Sequence, residues 1–194
     1  WDGKVTAEVN AEAPTACRIA FRIPGWCRDY TINGKKGLRE GESVTENGET
    51  RTVKDGYLII DRVWEGGEKL ELEFPMEVRL MQADGRVRED IGKAAVMRGP
   101  VVYCMEEADN GKNLHLCSLA ADPAPEAKAE EKLGQRMVTV TTKGKRLVMQ
   151  PEEAGELYQE YSRPEYEEVQ LQWIPYFAWA NRGEGEMQVF IKAE

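Results

Sequence analysis

Histidine is almost missing from this sequence: His115 is the single one among 194 residues. Zinc sites, Ser–His and Cys–His nucleophile pairs and most proton relays draw on imidazole, so these chemistries lose their usual base and ligand. The four cysteines, Cys17, Cys27, Cys104 and Cys117, include no C-x-x-C pair. The closely spaced ligand pairs of a zinc site are therefore lacking, and no metal is expected on this chain. Free thiols buried at strand positions are the expectation, because Cys packs as a small hydrophobe; a Cys17–Cys27 disulfide stays open until geometry decides.

No apolar run approaches the roughly 20 residues of a transmembrane helix. Positive charge is in deficit, with 26 Lys and Arg against 35 Asp and Glu, a net charge of −9 and a pI near 4.9. An acidic surface repels phosphate backbones, and no polybasic patch offers a hold on anionic lipid. Neither nucleic acid nor membrane is expected as a partner. The chain opens on Trp1-Asp2-Gly3, without an initiator Met or the basic and apolar regions of a signal peptide. An excised piece of a larger polypeptide is expected, soluble and cytoplasmic or periplasmic in a bacterial cell, with the compartment itself undetermined.

What the sequence has in abundance is alternation. Val5, Ala7 and Val9 share one face of Lys4–Asn10; Ile19, Phe21 and Ile23 alternate with Arg18, Ala20 and Arg22; Leu70, Leu72 and Phe74 alternate with Glu71 and Glu73. Such a period of two describes strands with one wet and one buried face, the habit of antiparallel sheets. Pro24-Gly25 ends a strand, Asn33-Gly34 supplies a tight hairpin turn, and Asp55-Gly56 leads into a strand over Tyr57–Trp64. Gly41–Gly48 reads as a polar loop. Further strands are expected at Lys69–Phe74, Val78–Met81, Ala94–Met97, Val101–Met105, Met137–Thr141, Arg146–Met149, Val169–Trp173 and Met187–Ile191. The Ala-, Pro-, Glu- and Lys-rich stretch Ala120–Gly134 reads as an exposed loop closing with a turn of helix at Glu126–Leu133. The pattern restarts after Phe74-Pro75-Met76. The fold class is therefore all-β: two consecutive antiparallel, jelly-roll-like β-sandwich domains, residues 1–76 and 77–194.

Candidate sites are few. With 35 acidic residues, neighbours such as Glu106-Glu107 and Glu152-Glu153 carry no catalytic information. His115, flanked by Leu114 and Leu116, reads as a partly buried strand residue, and no nucleophile motif surrounds it. No catalytic residue is assigned. Sugars stack their C–H faces on flat aromatic rings, so exposed Trp or Tyr would mark a carbohydrate-binding or docking surface. Trp64 and Trp173 sit in strand patterns and are expected in the core. Trp26 follows a strand-ending Pro-Gly, and Tyr176 and Trp179 lie in an irregular aromatic segment; these three are the candidates, with Phe177 assigned to closing the core.

Several segments carry a resemblance. They are Trp1-Asp2-Gly3, Phe21-Arg22-Ile23-Pro24-Gly25-Trp26-Cys27, Ile32-Asn33-Gly34, Arg62-Val63-Trp64 with Gly67, and Phe74-Pro75-Met76-Glu77-Val78-Arg79. In the second half they are Arg98-Gly99-Pro100-Val101-Val102-Tyr103-Cys104, Asp109-Asn110, and Ile174 through Gly183 running into Gly185-Glu186-Met187. In order and spacing the chain resembles the C-terminal region of glycoside hydrolase family 127, whose best-known activity is β-L-arabinofuranosidase. Gly67-Glu68 stands where the family tends to have Gly-Asp, and Ala83-Asp84-Gly85 where His-Pro is common, which leaves the branch of the family open. The resemblance implies an N-terminal (α/α)6 barrel with a zinc-bound cysteine nucleophile and a glutamate acid/base, followed by two β-sandwiches. This chain is similar to the sandwiches alone, and none of its cysteines matches the catalytic motif. Zinc is thus expected in the missing barrel and no cofactor here. The implied role is non-catalytic: supporting that barrel, with a homodimer or a glycan as further partners, and a carbohydrate-binding module as the alternative.

Overall fold

Alternating side chains pair into sheets where their apolar faces can meet, and the computed structural model, described over residues 1–149, 158 and 160–193, shows where they do. The contacts divide the chain into two units, Trp1–Met76 and Glu77–Glu194. In the first, β1 (Lys4–Val9), β8 (Glu68–Glu73), β3 (Thr31–Ile32) and β4 (Lys35–Lys36) form one antiparallel sheet in that order. The second sheet runs β2 (Thr15–Arg22), β7 (Tyr57–Trp64), β6 (Glu49–Lys54), β5 (Ser43–Glu46). Ile32, Leu70 and Leu72 of one sheet and Val53, Leu58, Ile60 and Trp64 of the other make a common core. The expected faces hold for Ala7, Val9, Ile19 and Phe21. Val5 departs from its face and is 45% exposed, although paired with Leu72, because β1 is the edge strand of its sheet.

The second unit uses β9 (Val78–Met81), β10 (Lys93–Arg98), β11 (Val101–Glu106), β12 (Cys117–Leu119), β13 (Glu126–Lys132), β14 (Gln135–Leu147), β15 (Tyr166–Pro175), β16 (Met187–Gln188) and β17 (Phe190–Ala193). Its hydrogen bonding runs from β11 through β15, β14, β12, β17 and β10 back to β11, so the layer edges are joined. Pairing is antiparallel except for β12 with β17. Tyr103, Met105, Val140, Leu171, Trp173 and Ile191 fill the interior. Polar atoms on these buried side chains find partners: Trp173 Nε1 donates to Thr142 Oγ1 at 2.9 Å, and Tyr103 Oη donates to the Val138 carbonyl at 2.8 Å. Both Trp64 and Trp173 are core residues, as expected.

Several expectations need correction. Gly41–Gly48 contains β5, which turns through Asn47 (φ 49°) and Gly48 (φ 76°) into β6. Its side chains are exposed, so no apolar alternation marked it; Ser43–Thr52 and Thr45–Thr50 hydroxyl pairs at 2.8 and 3.0 Å hold it instead. Residues 126–132 are the strand β13, not a loop with a helical turn. Leu133-Gly134 forms a two-residue turn that sets Lys132 opposite Gln135, and the long partner strand overrides the helical preference of Ala, Glu and Lys. Met137–Thr141 and Arg146–Met149 are parts of one strand, β14, through Gly144. A Cβ there would lie 2.4 Å from Leu171 Cδ1 and 2.7 Å from the Ser118 carbonyl oxygen, so the glycine permits close packing rather than a break. Met187–Ile191 is divided into β16 and β17.

Candidate functional site

The candidate site grows from the end of β15. Because β15 pairs antiparallel with β11, setting Pro175 opposite Tyr103, the chain leaves the sheet toward the start of β11. The segment that follows returns to Glu106 at that strand's far end, where Ala180 meets it. Tyr176–Ala178 then form a 3-10 turn, and the Trp179 amide donates to the Tyr176 carbonyl at 3.1 Å. Ala178 is buried with Cys104, Met137 and Ile174. The turn consequently throws its large residues outward: Tyr176 is 44% exposed, Phe177 59% and Trp179 40%. Phe177 does not close the core; the small Ala178 takes the inward position instead. Tyr176 and Trp179 stack on each other, ring centres 6.0 Å apart and planes 26° from parallel.

Beneath this turn lies a charged knot. Arg182 Nε donates to Glu106 Oε2 at 3.0 Å, and its Nη1 and Nη2 donate to Asp109 Oδ1 and Oδ2 at 2.7 and 2.6 Å. Nη2 also bonds Glu106. Lys132 Nζ reaches Asp109 Oδ1 at 2.9 Å, and Glu106 Oε1 accepts the Ala180 amide at 3.0 Å, with Ala180 held at φ 65°. The Glu106 side chain is only 7% exposed. Burial pushes the Asp109 carboxyl up, but hydrogen bonds from Arg182 and Lys132 outweigh it and hold the group below the usual carboxylate range. The same bond to Asp109 raises the guanidinium of Arg182, which stays charged. Burial, helped by the Glu106 charge, pushes the Cys104 thiol up to about 12, so Cys104 is no thiolate nucleophile near neutrality.

Further ties fix the ends of the segment. Asn110, at the end of the short helix Glu107–Asn110, donates to the Glu106 and Gln172 carbonyls at 3.1 and 2.9 Å and accepts the Gln172 amide at 2.8 Å. The Glu186 carboxylate accepts the amides of Asn113 and Leu114 at 2.9 and 2.7 Å. Those two amides are the main reason its carboxyl titrates below the usual value. Asn181 Nδ2 closes the turn on the Ala178 and Trp179 carbonyls at 3.0 and 3.2 Å.

The structure brings Tyr176 and Trp179 together. Trp26 belongs to the first unit, where it is half-buried and meets Phe74 edge-on, ring centres 6.3 Å apart. A cavity of about 270 Å³ in that unit is lined by Ile23, Cys27, Arg28, Tyr30, Arg39 and Glu40 among others, and Trp26 is not among its lining residues. His115 is exposed on a 3-10 turn (Leu114–Leu116) rather than part-buried on a strand, because Leu114 alone turns inward there. None of the four cysteines is in a disulfide; Cys104 and Cys117 are buried, Cys27 is half-buried in a loop and Cys17 is exposed at the start of β2. The Cys17–Cys27 disulfide does not form, and the expectation of burial fails for Cys17. Glu152-Glu153 lies outside the described residues. Among the described residues no cluster of three or more His, Cys, Asp or Glu side chains could hold a metal ion, and no helix is long and apolar enough to cross a membrane.

Sequence reasoning missed Glu106, dismissed as one acid among many. The signal that could have found it is Arg182: an arginine following an aromatic run needs a carboxylate if the run packs down on the sheet.

Comparison with known proteins matches residues 1–76 to the β-L-arabinofuranosidase GH127 middle domain and residues 78–192 to the glycoside hydrolase family 127 C-terminal domain. The chain is 35% identical over 204 aligned positions to a non-reducing end β-L-arabinofuranosidase of Bifidobacterium longum subsp. longum, covering 98% of this chain and 28% of that protein. The crystal structure of a GH127 β-L-arabinofuranosidase from Geobacillus stearothermophilus T6 is 40% identical, with a TM-score of 0.83, over 100% of this chain and 29% of that one. A further GH127 β-arabinofuranosidase structure is 29% identical, with a TM-score of 0.77, over 100% and 30%. The chain thus spans under a third of the length of these relatives. Matched across both of its units by successive domains of one family, this chain belongs to glycoside hydrolase family 127.

Proposed function

We propose that the chain is the accessory part of a longer family 127 enzyme acting on β-L-arabinofuranosides, and that it performs no hydrolysis itself. It needs no cofactor; the zinc implied for this family belongs to a separate catalytic barrel, which is the partner this region supports. The observation that carries the reading is the match of both units to the middle and C-terminal domains, over less than a third of each relative. The state of the acids agrees with it. Glycoside hydrolysis needs one carboxyl kept protonated opposite a second across an open pocket. Glu106 and Asp109, the most enclosed carboxylates of the second unit's knot, are instead consumed by Arg182 and Lys132. The purified 194-residue chain is expected to release no nitrophenol from p-nitrophenyl β-L-arabinofuranoside, while the full-length polypeptide does. Turnover by the chain alone defeats the proposal.

A second reading, a carbohydrate-binding module, is favoured by one observation, the exposed Tyr176–Trp179 stack. Titration with arabino-oligosaccharides followed by Trp fluorescence separates the two. Saturable binding lost in Trp179→Ala supports the module; a flat response supports the accessory role.

A further inference from the structure

Resting on the accessory reading above, we propose that Tyr176, Phe177 and Trp179 form a preformed docking platform for the catalytic domain of the same polypeptide. The platform is rigid before it meets anything. Ala178 is anchored in the core, Ala180 is tied to Glu106, and Arg182 is gripped by two carboxylates. Tyr176 and Trp179 already restrain each other by stacking. Ordering cost on docking is therefore small, since the rings and the turn are held in place beforehand.

Area selects the occupant. Rings of this kind bury roughly 150–250 Å² each when fully covered, so three that are about half exposed offer roughly 300 Å². A stable dimer takes about 800 Å² from each partner. A second copy at ordinary concentration would find this patch too small on its own. A covalently linked domain meets it at an effective concentration on the order of millimolar, where a small aromatic patch suffices. More than two thirds of each relative's chain lies outside the matched region, so such a domain has ample length. A sugar is the poorer fit. Glycan sites set a few free polar groups beside the stacking ring, whereas Glu106, Asp109, Asn181 and Arg182 are engaged with each other or with the backbone. Tyr176 and Trp179 also spend one ring face on each other.

The test uses the full-length polypeptide with Phe177 replaced by p-benzoylphenylalanine, a change confined to an exposed ring. On irradiation an intrachain cross-link is expected, migrating as a monomer and mapping by mass spectrometry to the catalytic domain. Its yield should fall at least roughly tenfold when Tyr176→Ala and Trp179→Ala are added, as for loss of a paired aromatic anchor. Hydrogen exchange on the unlabelled polypeptide gives an independent readout: the same two substitutions should speed exchange in the cross-linked catalytic-domain peptide. A cross-link between two copies, no protein cross-link, or suppression by millimolar arabino-oligosaccharide overturns the proposal. Failure here with an inactive isolated chain breaks only the docking inference. Hydrolysis by the isolated chain breaks the accessory reading beneath it.

Discussion

Each unit holds an arginine between two carboxylates, and the two differ in what they secure. In the first unit, Arg62 of β7 bonds Glu49 of β6 at 3.1 Å and Glu68 of β8, and lies 4.3 Å from the Trp64 ring centre. This arginine staples one sheet of the sandwich to the other at their rim, and its Nε is buried without a hydrogen-bond partner among the described residues. In the second unit, Arg182 uses Nε and both terminal nitrogens on Glu106 and Asp109, and what it secures is a loop bearing three outward aromatics. Sheets that are already paired and packed need little from an ion pair. A loop with no ladder of its own takes its shape from one. Where the side chains beyond the knot face outward, the fixed shape is available to a partner.

The contrast should be largest on deleting the cations. Arg182→Ala strands the buried Glu106 carboxylate, a loss of about 3 kcal/mol, at the low end for a broken buried pair because the knot retains some solvent. Hydrogen exchange at 176–183 should rise with it. Adding Glu106→Gln should restore part of the stability, since the stranded charge is removed. Arg62→Ala, read by denaturant midpoint, should cost less, about 1–2 kcal/mol, from partly exposed ion pairs and the Trp64 stack. Equal costs would erase the distinction between staple and loop clamp.

Acid offers a smaller effect. Asp109 titrates below its ordinary 3.8 in the folded chain, so its contribution is complete above that value and is lost as pH falls through the folded value. Stability of the second unit should therefore fall with acid below about pH 4, and Asp109→Asn should flatten that part of the profile. An unchanged profile would mean that Arg182 and Lys132 do not hold Asp109 below its ordinary value. Smallest of all is Trp179→Ala in the isolated chain. Loss of one half-exposed stack is expected to cost no more than about 1 kcal/mol. A much larger cost would place Trp179 in the core and remove it from the platform.

The sandwich strands were legible because burial on one face imposes a period of two, as at Leu70, Leu72 and Phe74. Where burial is absent or composition points elsewhere, the pattern fails. Strand β5 is all but apolar-free, and β13 is made of Ala, Glu and Lys, so pairing with β6 and β14 decides both. The aromatic candidates Tyr176 and Trp179 were visible as residue types, yet nothing in their spacing foretold that they would stack or that Phe177 would face out and Ala178 in.

The sequence by itself determined the all-β class and the resemblance in order and spacing that led to family 127, because alternation and short motifs are local and survive reading in one dimension. Tertiary structure alone decided the closed pairing of the second unit and the union of Glu106 with Arg182, 76 residues apart in the chain. It decided, too, which aromatics stay wet. Those outcomes depend on which strands lie side by side, and charge pairing and exposure follow from that neighbourhood rather than from any interval along the chain.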